Sequence, residues 1–258
     1  LGRKQGLNHP HTLLADPPRS FSGYDPENFD GAFRGPLAAA EALRASRNVP
    51  ALSLAARLDQ PDLYEFLQRA GVAFTSDKSH YGLSLVLGGA EITMRELASL
   101  YAMLANKGVW RPARLLLDED PPAALQLLSP EAAFVTLAML EDSNPDHLVR
   151  SHGEALLPLR IKTGTSNGFR DAWAAGVFGP YVLVTWVGHF NNAANPLLVG
   201  GRVASPLFTA MARELAAAEP MTDDIGIPAR NVQVERVSVC AATGDLDTSL
   251  CGETVTTW

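Results

Sequence analysis

Arg160-Ile161-Lys162-Thr163-Gly164-Thr165-Ser166-Asn167-Gly168-Phe169-Arg170-Asp171-Ala172-Trp173-Ala174 is the stretch on which the fold turns. Residues 156–165 read as one strand entering a turn, and 166–170 are polar and contain Gly168. Residues 172–190 then carry no Asp, Glu, Lys or Arg, a length that could span a bilayer as a helix. Gly179-Pro180 interrupts that run, and its flanks, 172–177 and 181–187, are rich in β-formers. Two buried antiparallel strands therefore fit it better than a membrane helix.

Outward from this hairpin, the pattern becomes helical on both sides. Residues 206–218 predict a helix packed on the sheet, 220–228 a linker, and 232–240 a strand, with a further strand-like stretch at 253–258. On the N-terminal side, residues 8–35 are loop-like. Pro36 opens a helical stretch over 37–45, and Val49-Pro50 places Ser46-Arg47-Asn48 at its terminus or in the turn after it. Helices follow over 51–58, over 61–70 with Gly71 as a stop, and over 93–106, where Leu97, Leu100, Tyr101 and Leu104 share a face. Ser129-Pro130 caps another. Helices, a hairpin, a helix and then β structure do not alternate as β-α-β units do. The expected fold is α+β: an antiparallel sheet with helices against it. The domain boundary is placed near Asp224, giving units 1–223 and 224–258.

The composition, 47% apolar and 19% charged over 258 residues, is that of a globular chain. A net charge of −7 without a Lys/Arg cluster excludes nucleic acid as an expected partner. Cys240 and Cys251 suit either a disulfide-clipped hairpin or two reduced thiols; neither has the neighbours for a zinc site. His9 and His11 lack a metal-binding context, so no metal and no cofactor is expected.

Two motifs carry chemistry. Lys162-Thr163-Gly164-Thr165-Ser166 ends a strand with a positive charge, three hydroxyl donors and a glycine that lets a ligand reach backbone N–H groups, which together make an anion site. Taken alone it reads rather as an exposed strand end with a solvated lysine, because short Lys-Thr-Gly strings arise by chance. Ser46-Arg47-Asn48 offers a hydroxyl and an amide two residues apart, a pattern also met at ordinary helix ends. Gly164-Thr165-Ser166-Asn167-Gly168 additionally fits the Gly-x-Ser-x-Gly elbow of α/β-hydrolases, with Ser166 as nucleophile, provided a helix follows.

A Ser-x-Asn followed in order by Lys-Thr-Gly on a strand resembles the penicillin-binding proteins and class A β-lactamases. The stretches 24–31 and 37–50, Gly88-Gly89-Ala90-Glu91-Ile92-Thr93, 97–108, and Gly168-Phe169-Arg170-Asp171-Ala172-Trp173-Ala174 after Lys-Thr-Gly resemble the transpeptidase domain of bifunctional penicillin-binding proteins, of the 1C type. Residues 237–251 are similar to the start of that type's C-terminal β-module. The resemblance covers nearly the whole chain. It implies a three-layer, serine β-lactamase/DD-transpeptidase-like fold and D,D-transpeptidation of peptidoglycan stem peptides through an acyl-serine, with β-lactams as inhibitors. By the same resemblance Lys162 and Thr165 hold the substrate carboxylate, and the Thr165 N–H forms half of an oxyanion hole. Ser46 relays a proton to the leaving nitrogen, Asn48 bonds the substrate amide or a relay lysine, and Thr163 and Gly164 shape the strand edge. The parent protein is expected to carry a membrane anchor and a glycosyltransferase domain and to work on the periplasmic face of the inner membrane.

One element is missing. The family's nucleophile lies in Ser-x-x-Lys, and the residues three before Lys4, Lys78, Lys107 and Lys162 are Leu1, Thr75, Leu104 and Leu159. Thr75-Ser76-Asp77-Lys78 copies the spacing but follows Ser46, the wrong order. The expectation is that the nucleophile lies just upstream of Leu1 and that these 258 residues alone are inactive. The alternative is a relative that has lost its nucleophile and still binds peptide carboxylates.

Overall fold

A computed structural model of the chain describes residues 6, 8–21, 23–116, 118–120, 123–141, 144–152, 155–223, 232–248 and 250–258. In chain order the strands are β1 (Leu13–Leu14), β2 (Leu37–Ala38), β3 (Val109–Trp110), β4 (Leu125–Gln126), β5 (Leu148–Ser151), β6 (Ala155–Pro158), β7 (Arg160–Thr165), β8 (Asp171–Phe178), β9 (Tyr181–Gly188), β10 (Val237–Cys240) and β11 (Thr254–Thr257). The α-helices are α1 (Ala39–Arg44), α2 (Asn48–Ala55), α3 (Leu63–Arg69), α4 (Lys78–Tyr81), α5 (Met94–Ala105), α6 (Pro130–Leu140) and α7 (Ala204–Ala218).

The main sheet is β7-β8-β9, antiparallel throughout, with Thr165 opposite Ala172 and Phe178 opposite Tyr181. Gly179 and Pro180 turn the hairpin, as the sequence predicts, and Gly179 takes φ 46°. No described helix is long and apolar enough to cross a membrane. The central strand β8 is buried on both faces. Ala172, Ala174 and Phe178 pack with Ala204, Phe208, Ala212 and Ala216 of α7. The alternate positions Trp173, Ala175 and Val177 point to the opposite face, which α5 and α6 cover by contacting β8, β9 and β7. This is the expected antiparallel sheet between helical layers. Gly176 is required by closeness, since a Cβ there would lie 2.6 Å from the Arg160 carbonyl oxygen.

Local signals hold where the backbone decides. Thr93 and Glu96 form a capping box at the start of α5, Asp62 and Glu65 form one at α3, and the Ser129 side chain accepts from Ala132 N at α6. Three expectations need correction. Leu37–Ala38 is a strand paired with Leu13–Leu14, so α1 begins later than Pro36 suggests. The helix expected from residue 51 begins at Asn48: Pro50 occupies its first turn, where a missing N–H costs nothing, and Asn28 Oδ1 accepts from Asn48 N at 2.8 Å. The single strand expected over 156–165 is two, because Ala155–Pro158 pairs with Leu148–Ser151 while Arg160–Thr165 joins the main sheet.

Cys240 and Cys251 are disulfide-bonded (S–S 2.16 Å), which decides between the two readings of the pair. The bond closes the β10-β11 hairpin. Val232, Val234 and Trp258 pack into a cluster with Ala39, Ala40, Phe134, Val135 and Met139, the Trp258 ring standing edge-on to Phe134 at 5.2 Å. The expected linker and the boundary at residue 224 fall largely on 224–231, outside the described residues.

At the start of β7, Arg160 is 1% exposed and is held by Asp223 (2.7 and 2.9 Å) and Glu141 (2.8 Å). Removing one partner of a buried ion pair leaves a charge without full compensation. Asp223→Ala is expected to lower unfolding free energy by about 3 kcal/mol in a denaturant titration, the range for broken buried pairs.

Candidate active site

Ser46 gets its conformation from the way α1 ends. Arg47 N donates to Ala42 O (2.9 Å) and Ser46 N to Leu43 O (3.1 Å), the two bonds of a Schellman motif with Ser46 in the left-handed position at φ 54°. Glycine is the usual residue there because a Cβ costs about 1 kcal/mol in that region. Serine at this position is local strain, and strain of this kind points to use of the side chain.

The strain sets the Ser46 hydroxyl against the Lys162 ammonium: Lys162 Nζ donates to Ser46 Oγ in a short hydrogen bond, and also to Thr163 O at 2.9 Å. Thus the two motifs, far apart in sequence, meet. Burial lowers the Lys162 pKa from the ordinary 10.5 to about 8. Asn48, the first residue of α2, donates from Nδ2 to Glu27 O at 2.6 Å. Thr165 Oγ1 accepts from Gly200 N at 3.0 Å, so the hydroxyl proton remains to be donated.

Gly164 is exposed on β7, which among the described residues pairs with β8 alone. A Cβ on Gly164 would make only an ordinary 3.7 Å contact with Trp173 Cβ, and its φ is not positive, so the fold itself does not ask for glycine. Gly200 differs: its Cβ would fall 2.3 Å from Gly164 O. Gly200 was not singled out from sequence, nor were Asp16, Asn28 and Asp30, which hold the Ser46–Asn48 loop from below.

Two other readings fail on geometry. Ser166 is followed by strand β8, not by the helix a nucleophile elbow needs, and its Oγ accepts from Asp171 N (2.8 Å) and Arg170 N (3.2 Å) as a turn-builder. Thr75 and Lys78 do not pair either. Lys78 salt-bridges Asp62 (2.5 Å) and Glu65 (3.2 Å), which raise its pKa, and Thr75 Oγ1 shares a bond with Tyr81 OH. Asp171 accepts from the Trp186 indole at 2.9 Å.

Residues 2–225 match the model of the penicillin binding protein transpeptidase domain. Penicillin-binding protein 1C of Escherichia coli is 36% identical over 189 residues, covering 73% of this chain, and penicillin-binding protein 1B of the same organism is 30% identical over 206 residues, covering 72%. The chain spans 24% of the length of each of these relatives. Among solved structures, penicillin-binding protein 1A from Haemophilus influenzae superposes with a TM-score of 0.70 at 21% identity, covering 97% of this chain and 45% of that one. PonA1 from Mycobacterium tuberculosis in complex with penicillin V superposes at 0.66 and 20% identity, covering 90% of this chain and 72% of that one, a likeness of fold. With a family match over nearly nine-tenths of its length and a relative above one-third identity, this chain belongs to the penicillin-binding protein transpeptidase domain family.

Proposed function

We propose that these residues form the substrate-carboxylate and proton-relay side of a peptidoglycan D,D-transpeptidase site that β-lactams also occupy. The nucleophilic serine and its lysine base are supplied by sequence outside the 258 residues. The observation that carries this reading is the Lys162 Nζ to Ser46 Oγ contact at the open edge of β7. Lys162 and the Thr165 hydroxyl present positive charge and a donor to an incoming carboxylate. The substrate lies along β7 as an added strand, with Gly164 leaving it room. The Thr165 N–H meets the oxyanion. With a pKa of about 8, Lys162 exchanges a proton with the Ser46 hydroxyl near neutral pH, and Ser46 passes it to the leaving nitrogen. Asn48, one amide hydrogen already given to Glu27, bonds the substrate amide or the relay lysine. The longer protein is anchored at the periplasmic face of the inner membrane and carries a glycosyltransferase domain. That reading is supported by the bifunctional type that the sequence resembles.

The absence of Ser-x-x-Lys from the sequence favours one second reading, a non-catalytic relative that binds peptide carboxylates reversibly. Intact mass after incubation with a penicillin separates the two. The transpeptidase reading expects no adduct on these 258 residues and one adduct on a chain extended through the preceding Ser-x-x-Lys. Saturable binding without an adduct on either chain supports the second reading and overturns the first.

Two further outcomes are expected. Ser46→Gly relieves the left-handed serine and stabilises the fold by about 1 kcal/mol in denaturant, while acylation of the extended chain slows at least tenfold. Gly164→Ala leaves the melting temperature within a few degrees but blocks penicillin uptake.

Lys162 sets a pH dependence. Its proton leaves near pH 8 in the folded chain and near 10.5 in the unfolded one, so between these values the unfolded state binds more protons and stability rises with pH. Below pH 8 the penalty of the buried ammonium is present in full. A Lys162 13Cε titration by NMR should show a midpoint near 8. The rise in stability from pH 8 to 10.5 should disappear in Lys162→Met.

A further inference from the structure

Between Ser46 and Asn48 sits an arginine with no place in the chemistry above. Arg47 is 4% exposed, and all three of its guanidinium nitrogens donate to residues 16–32. Nε donates to Asp16 Oδ2 at 2.8 Å, Nη1 donates to both oxygens of Asp30 at 2.9 Å, and Nη2 donates to Ala32 O in a short bond. Asp16, fully buried, also accepts from Asn28 Nδ2 (3.0 Å) and Arg34 N (3.2 Å). The same Asn28 accepts from Asn48 N at 2.8 Å, so residues 16–34 grip the motif at two consecutive positions. Asp30 is held below the ordinary carboxylate range by the Ala32 N–H and by Arg47.

A helix junction needs no buried charge. Apolar packing stabilises as well or better, whereas an ion network with several fixed directions sets a geometry. The planar fork of arginine is suited to that, because its donors lie in one rigid plane. The residue whose geometry needs setting is the neighbour: Ser46 occupies a left-handed conformation that a serine leaves when free to do so.

We propose that Arg47 is a positioning residue: clamped by Asp16 and Asp30, it holds Ser46 in the left-handed conformation that presents its hydroxyl to Lys162. Asp16, Asp30 and Ala32, whose described bonds reach Arg47 rather than Ser46 or Lys162, thereby set the rate of the step Ser46 serves. The inference rests on the proton-relay reading of Ser46 for its effect on rate, and on geometry alone for its effect on conformation.

Two measurements separate these. In the 258-residue chain, the Ser46 13Cα chemical shift reports backbone φ. Arg47→Lys and the milder Asp30→Asn are expected to move it, while Asp223→Ala, which lowers stability elsewhere, leaves it in place. In the full chain carrying Ser-x-x-Lys, Arg47→Lys should lower the limiting rate of acylation by a fluorescent penicillin at least tenfold and Asp30→Asn about threefold, with the concentration for half-maximal rate changed less than twofold. A Ser46 shift that follows stability rather than the clamp, or an unchanged acylation rate, overturns the proposal. If the shift moves as expected but the unsubstituted full chain takes no penicillin, the transpeptidase reading fails and the conformational clamp stands.

Discussion

A central strand that turns small in its middle, where helices meet it on both faces, is the constraint from which the architecture follows. β8 lies between helical layers, and Ala172, Ala174, Ala175 and Gly176 keep it thin enough for α7 to approach on one face and α5 and α6 on the other. Gly176 sits within contact of the Arg160 carbonyl, so β7 and β8 can be brought no closer and admit nothing larger. Burial on both faces explains why the sequence there lacks the alternation of a half-exposed strand. It also fixes β7, whose other edge has no strand partner among the described residues, and that strand is where Lys162, Gly164 and Thr165 stand.

The site combines a rigid side with a strained one. Lys162 and Thr165 ride on a strand that is paired along its length and buttressed by Gly200, whereas Ser46 sits at a helix end in a conformation that costs energy. The two sides belong to different layers of the domain. Their meeting is a tertiary fact, and the network of Arg47, Asp16, Asp30 and Asn28 accounts for how the strained side is held.

How much of this could be read beforehand follows from where the information resides. The hairpin was legible because Gly179-Pro180 breaks an otherwise continuous apolar run, and α5 and α6 because Thr93 and Ser129 declare their starts. The pairing of Lys-Thr-Gly with Ser-x-Asn was legible as an order of motifs and a family likeness, not as a distance. The break at Leu159 was not legible, since an apolar run reads the same whether it pairs with one neighbour or changes neighbours midway. The start of α2 at Asn48 was hidden because the bias before Pro50 is overruled by a side chain twenty residues earlier, Asn28. Asp16 and Asp30 lay in a loop with no period, where two acidic residues look like solvated surface until the fold buries one of them.

Gly200 carries a mechanical consequence. Its α-carbon is pressed so close to the Gly164 carbonyl that any side chain there would overlap it, and its N–H is bonded to the Thr165 hydroxyl. The segment ahead of α7 is therefore coupled to β7: a side chain at residue 200 is accommodated only by shifting the Gly164 carbonyl, and with it the strand that carries Lys162 and Thr165. The position of the strand is thus tied to a residue outside the Lys-Thr-Gly motif, so a substitution there displaces Lys162 and Thr165 without changing either.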